Sequence, residues 1–223
     1  MHKWFVYDEI DAVSKAAADF IAEKIEGCLS HKDVCHVILP GGNTPATSLR
    51  YLAKKELPWD KIHWYLGDER CYPQAHSERN DVMLEKNFWS LLGKTNIHLI
   101  ASELGAEKAA ELYREEISQV DHFDIAFLGM GEDGHTASLF PMNKALDDSR
   151  SVVPVYDSPK PPGERVSLGM DTLKKSHYRV VLTCGVSKSP IIKRIKEGEF
   201  LPINCIGNIN WFIDKDALTP VTI

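Results

Sequence analysis

Four short stretches of the 223-residue chain combine glycine with side chains able to hold anions or move protons. The longest runs Gly129-Met130-Gly131-Glu132-Asp133-Gly134-His135-Thr136-Ala137-Ser138-Leu139-Phe140-Pro141. An aspartate two residues before a histidine, on a glycine-rich turn, can orient an imidazole and keep it basic. This suits His135 to general-base work with Asp133 behind it. A buried structural histidine is the competing reading, but it accounts for neither the glycines nor the aspartate. The stretch also contains Gly129-x-Gly131-x-x-Gly134, the dinucleotide fingerprint. That motif requires a crossover helix and a carboxylate about 20 residues further on. Pro141 follows too closely for such a helix, so no dinucleotide is expected.

The second stretch, Leu39-Pro40-Gly41-Gly42-Asn43-Thr44-Pro45, leads from an apolar run into a helical pattern. Gly41 and Gly42 let backbone amides approach an anion, a helix start adds unpaired N–H groups, and Asn43 and Thr44 add side-chain donors. A tight turn with a helix cap is the other reading. The third, Gly67-Asp68-Glu69-Arg70, is either a surface ion-pair cluster or a site, and its position directly after a strand favours a site. The fourth is dispersed: Arg165 follows the proline-rich loop Pro159-Lys160-Pro161-Pro162-Gly163, and Lys188 lies in Cys184-Gly185-Val186-Ser187-Lys188-Ser189-Pro190 at a helix start. Phosphate binding favours a helix terminus combined with Arg or Lys.

These residues need a frame. Short apolar runs predict strands at Trp4–Tyr7, Val34–Leu39, Lys61–Leu66, Ile97–Leu99, Phe123–Leu128, Val152–Val155, Arg165–Leu168, Arg179–Thr183 and Ile203–Ile206. Between them, spacing of the 3.6-residue kind predicts helices over Ile10–Leu29, Pro45–Glu56, Asp81–Leu92, Ala106–Ser118 and Ser187–Lys196. Continuous apolar strands alternating with helices imply a doubly wound, mainly parallel α/β sheet with helices on both faces, a Rossmann-like arrangement. Ligands of such sheets sit outside the carboxyl ends of the strands, where the four stretches fall. No linker or repeat divides the chain, so residues 1–223 are expected to form a single domain.

Composition narrows the function classes. With 43% hydrophobic and 26% charged residues the chain is globular, and its longest apolar runs are too short to cross a bilayer. The first residues turn acidic before a secretory core could develop. Five cysteines, Cys28, Cys35, Cys71, Cys184 and Cys205, without a C-x-x-C pair, read as reduced thiols of a cytoplasmic protein rather than a disulfide framework or zinc site. The net charge of −6 argues against nucleic acid or an acidic membrane as partner. An anionic small molecule would then need a local cationic pocket.

The Gly129–Pro141 stretch resembles the hallmark loop of the 6-phosphogluconolactonase family. Gly67-Asp68-Glu69-Arg70-Cys71-Tyr72-Pro73, with Ser77 and Asn80, resembles its second motif, and Gly41-Gly42-Asn43-Thr44-Pro45 its phosphate loop. Ser158–Pro162 through Glu164-Arg165-Val166 is similar to the segment that closes over the site, and Trp211-Phe212-Ile213-Asp214 to the carboxyl-terminal stretch. The chain departs from the pattern at Asn43, where serine is usual, and at Pro202-Ile203-Asn204. The resemblance implies a sugar-phosphate isomerase/deaminase type of fold. It also implies hydrolysis of 6-phospho-D-glucono-1,5-lactone in the pentose phosphate pathway, with no metal, cofactor or covalent intermediate. Lactone hydrolysis needs a base for water, an oxyanion donor and a proton for the leaving ring oxygen. His135 is then the base, Asp133 its orienter, Arg70 the oxyanion or hydroxyl donor, and Asp68 a partner of Arg70 or of a hydroxyl. Gly41, Gly42, Asn43, Thr44, Arg165 and Lys188 hold the phosphate. A glucosamine-6-phosphate deaminase shares the fold, but Arg70 and Leu139-Phe140-Pro141 speak against it. A sugar-phosphate sensor would have no need of Asp133 with His135.

Overall fold

In the computed structural model, which describes residues 2–219, seven strands lie side by side and all parallel. In chain order they are β1 (Lys3–Tyr7), β2 (Cys35–Leu39), β3 (Ile62–Leu66), β5 (Asn96–His98), β6 (Ile125–Leu128), β9 (Tyr178–Thr183) and β10 (Asn210–Asp214). Their spatial order is β1-β10-β9-β6-β2-β3-β5. The central strand β6 is apolar along its whole length because both its faces are covered: Ile125, Ala126, Phe127 and Leu128 are all buried. The chain runs from β2 outward through β3 to β5, then returns to lay β6 on the other side of β2. The carboxyl ends of β2 and β6 therefore form the topological switch point, where such sheets leave a crevice.

Helix α1 (Ile10–Leu29) packs on β9 and β10 and against α2 (Asn43–Leu52). It buries Val13, Ala17, Ile21 and Ile25, the face that the sequence periodicity picks out. Helices α3 (Asn80–Asn87), α4 (Ala106–Glu116) and α6 (Ser189–Lys196) match the remaining helical patterns within a few residues at each end. The doubly wound, mainly parallel expectation holds.

Three features differ from the reading of the sequence. A second sheet of three antiparallel strands, β4 (Asp68–Arg70), β8 (Arg165–Leu168) and β7 (Val152–Val155), stands beside the main one. Asp68–Arg70 had read as a loop because it is wholly polar. It becomes a strand because β8 supplies hydrogen bonds from nearly a hundred residues away. The segment expected as a strand at Ile203–Ile206 is instead a short helix, α7 (Pro202–Cys205), after α5 (Met170–Lys175). Pro202 has no N–H to give a ladder and suits a first helical position. The last strand is β10, where Trp211 stacks on Trp4 at 4.9 Å and Phe212 on Phe5 at 4.8 Å, so the first and last strands close one edge together.

Candidate active site

Where β2 and β6 diverge, the loops that leave them open a cleft of about 260 Å³. The loop after β6 carries the histidine. Gly131 N–H donates to the His135 carbonyl at 2.9 Å and Gly134 N–H to the Gly131 carbonyl at 3.1 Å, closing a tight turn. Gly134 has φ +82°, which glycine adopts without strain. A Cβ on Gly131 would lie 2.0 Å from His135 Nδ1, so the imidazole occupies space that any other residue would fill. No crossover helix follows; Thr136 and Leu139 form an isolated bridge instead, which disposes of the dinucleotide motif.

Asp133 Oδ1 accepts the His135 ring nitrogen Nδ1 at 2.5 Å and the His135 backbone N–H at 3.1 Å. Partial burial works against the Asp133 charge, but the hydrogen bonds and charge of His135 hold its pKa down to about 2. An ionised Asp133 fixes the proton on Nδ1 and leaves Nε2, which has no partner among the described residues, as the basic nitrogen. Phe140 packs on the ring with centroids 4.4 Å apart. From below, Leu201 sits 3.1 Å from where a Gly134 Cβ would be, and Ile203 N–H donates to the Gly134 carbonyl. The Pro202–Asn204 turn is thus a brace for the histidine loop.

The second sheet forms the opposite wall. Its antiparallel register sets Arg70 directly opposite Arg165 and Asp68 opposite Ser167. Like charges directly opposed destabilise a sheet unless an anion compensates, so this pairing favours a negatively charged ligand. Arg70 donates through Nη1 to the Glu78 carbonyl, while its Nε is buried with no partner among the described residues. Arg165, only 5% exposed, donates through Nη2 to the Lys160 and Pro161 carbonyls and lies over the Phe140 ring. Burial lowers its pKa, Asp68 opposes that, and Arg70 adds to it.

Asp68 accepts the Ser138 hydroxyl at 2.5 Å, and its backbone carbonyl accepts the Asn80 amide at 2.8 Å. It therefore ties β4 to both the histidine loop and α3. Glu69, fully buried, accepts the backbone N–H groups of Arg70, Asn80 and Asp81. Burial pushes its pKa up to about 7 against those bonds.

The third wall is the start of α2. The helix begins at Asn43, two residues earlier than Pro45 suggested, and Gly42 at φ +100° gives it no side-chain cap. Asn43 and Thr44 line the cleft, and Gly41 is so close to Asn80 that a Cβ would meet its Oδ1 at 2.0 Å. Lys188 donates to the Met130 carbonyl at 2.9 Å, and burial lowers its pKa, with Glu132 opposing and Lys160 reinforcing.

Of the ten residues expected in the site, eight line the cleft: Gly41, Asn43, Thr44, Asp68, Arg70, His135, Arg165 and Lys188. Asp133 stands behind the imidazole, and Gly42 shapes the turn without lining the cleft. Lys160 and Thr183 also line it and were not anticipated. Lys160 is a lone cation among prolines, in the segment that the resemblance placed over the site without giving this side chain a role. Cys184 reaches the cleft, but burial and Asp214 push its thiol up to about 12; Cys71 is likewise about 12 and does not line the cleft. Neither is an activated nucleophile. No set of three His, Cys or carboxylate ligands converges on the cleft among the described residues.

The profile of the family described as glucosamine-6-phosphate isomerases/6-phosphogluconolactonase matches residues 8–211. A 6-phosphogluconolactonase of Thermotoga maritima is 35% identical over 208 residues, covering 88% of this chain and 94% of its own length. The 6-phosphogluconolactonase of Homo sapiens is 30% identical over 240 residues, covering 98% of this chain and 93% of its own. The crystal structure of a 6-phosphogluconolactonase from Thermotoga maritima superimposes with a TM-score of 0.90 at 31% identity, covering 96% of this chain and 100% of that one.

Proposed function

The chain belongs to the glucosamine-6-phosphate isomerase/6-phosphogluconolactonase family, and on that premise we propose how it hydrolyses 6-phospho-D-glucono-1,5-lactone to 6-phosphogluconate in the pentose phosphate pathway. The observation that carries the reading is the Asp133–His135 pair, with Nε2 unpartnered among the described residues, in a cleft whose far wall sets Arg70 opposite Arg165. His135 Nε2 takes a proton from water, and the hydroxide equivalent attacks the lactone carbonyl carbon. The Arg70 guanidinium, which lines the cleft, donates to the developing oxyanion or a neighbouring hydroxyl. The tetrahedral intermediate collapses by breaking the bond to the ring oxygen, and the imidazolium returns its proton there. The ionised Asp133 stabilises that imidazolium without itself taking the proton, as in other acid–base triads.

The phosphate of the substrate is held at the start of α2 by the amides and side chains of Asn43 and Thr44, with Gly41 and Gly42 shaping the loop, and by Lys188, Arg165 and Lys160. Asp68 positions the arginine wall through β4. Together these cations supply the local field that a chain of net charge −6 lacks. All five cysteines are free thiols, which supports a cytoplasmic setting, and no described helix is long and apolar enough to cross a membrane.

The test is to give purified, chelator-treated protein fresh 6-phosphogluconolactone and follow acid release against the spontaneous rate. A parallel assay follows ammonia release from glucosamine 6-phosphate. Acceleration of the first without the second is expected, and comparable ammonia release would reassign the site to deamination.

A further inference from the structure

The amino ends of the strands, opposite the cleft, carry a second cluster of chemistry. Cys28 lies in the last turn of α1, Cys35 opens β2, and Asp124 directly precedes β6. Their ligand atoms, the two Sγ and a carboxylate oxygen, all lie within 4.8 Å of one another. Around a tetrahedral Zn2+ with bonds of about 2.0–2.3 Å, ligand atoms stand roughly 3.3–3.8 Å apart, so closure by about 1–1.5 Å suffices. Cys35 and Asp124 are buried, whereas Cys28 is half-buried beside an open hollow lined also by His31, Lys32, His122 and His177.

Although the spacing of the cysteines in the sequence argues against a zinc site, we propose that Cys28, Cys35 and Asp124 form a binding site for one Zn2+, its fourth position open toward the hollow at His122. The ligand types fit that ion: thiolates suit soft and borderline metals, and the carboxylate turns the choice from Cu(I) toward Zn2+. His122 Nε2 stands 3.9 Å from Asp124 Oδ1. The second carboxylate oxygen accepts His36 N–H at 2.9 Å, which holds the carboxylate in place as an outer partner should.

A cation already occupies the mouth of this cluster. The Lys32 ammonium is 2.6 Å from Asp124 Oδ1 and 3.1 Å from His122 Nε2. Lys32 and Zn2+ therefore alternate at the same carboxylate oxygen. On binding, two thiol protons leave to solvent and Lys32, half exposed on a flexible stem, swings aside. Two thiolates and one carboxylate against Zn2+ leave one negative charge, which the displaced Lys32 balances from nearby. The site lies at the opposite ends of β2 and β6 from His135, so it serves the fold rather than the hydrolysis.

The experiment titrates the full-length, reduced, chelator-stripped protein with Zn2+ against a chromophoric competitor, and uses Co2+ as a spectroscopic probe. One Zn2+ per chain is expected, with a thiolate-to-Co2+ charge-transfer band and the intense visible bands of a tetrahedral ion. Cys28→Ser should weaken Zn2+ binding by more than ~100-fold, since outer-shell losses alone cost 10–100-fold. Cys35→Ala should do the same and Cys205→Ser should change nothing. Lactone turnover of each variant reports that it is folded; should Cys35→Ala fail to fold, the half-buried Cys28→Ser carries the comparison. Absence of competitive Zn2+ binding, equal binding by Cys28→Ser, or a Co2+ spectrum without charge transfer would each overturn the site.

Discussion

His135 and Asp133 are two residues apart, and the roles proposed for them separate because one hydrogen bond sets which ring nitrogen carries the proton. Replacing the base tests this directly. His135→Gln is expected to lower kcat by about two to four orders of magnitude, the usual worth of a positioned general base. Affinity for a non-reacting phosphate ligand should hardly change, and a variant that keeps most of its turnover would remove His135 from the chemistry. The proposed phosphate clamp should behave differently. Because the phosphate does not react, its contacts act alike in ground and transition states. Lys188→Ala should therefore raise KM more than it lowers kcat, by about 10- to 150-fold for a charge-assisted bond of roughly 1.5–3 kcal/mol. With unphosphorylated gluconolactone the loss should nearly vanish. An equal factor for both lactones would sink the assignment. Arg165 is the less clean probe, since it also holds the Lys160 and Pro161 carbonyls.

Strand β4 is joined to α3 by one buried carboxylate. Glu69 receives three backbone N–H groups where Arg70 and Asn80 must be held, and burial raises its pKa to about 7. A carboxyl raised in the folded state binds its proton more tightly there than in the unfolded chain. The stability it adds is fully present below the unfolded value near 4.5 and is lost as pH rises through about 7. Urea denaturation of the wild type and of Glu69→Gln, which does not titrate, should show the wild type losing ground to the variant across that window. Parallel pH profiles for the two proteins would show that Glu69 does not titrate in this range.

Across the described residues, β1 and β10 pair as the first and last strands of one sheet edge, and Asp68 of the small sheet is tied to Ser138 of the histidine loop. We propose on this basis that the chain folds as a single domain. Trp4 and Trp211 report on one edge, Trp64 and Trp89 on the other side of the sheet. Tryptophan fluorescence and far-ultraviolet circular dichroism should therefore unfold in one coincident transition. Two separated transitions would divide the molecule into independently folding parts.

Local chemistry carried the sequence reading a long way. The histidine loop, the Gly41–Pro45 loop and the Gly67–Arg70 motif each hold their candidate functional groups within a few consecutive residues. Strand–helix alternation then places every such loop at the same edge of a parallel sheet. Apolar runs and helical periodicity likewise marked most elements, because burial on both faces leaves a plain signature. Only the tertiary structure could decide what depends on partners remote in the chain. Asp68–Arg70 is a strand solely because β8 pairs with it, and that register is what opposes Arg70 to Arg165. The turn at Pro202 braces Gly134, and Cys28, Cys35 and Asp124 meet only because α1, β2 and β6 converge at one end of the sheet. Such contacts are set by packing across long loops, which leaves no periodic trace in the residues themselves.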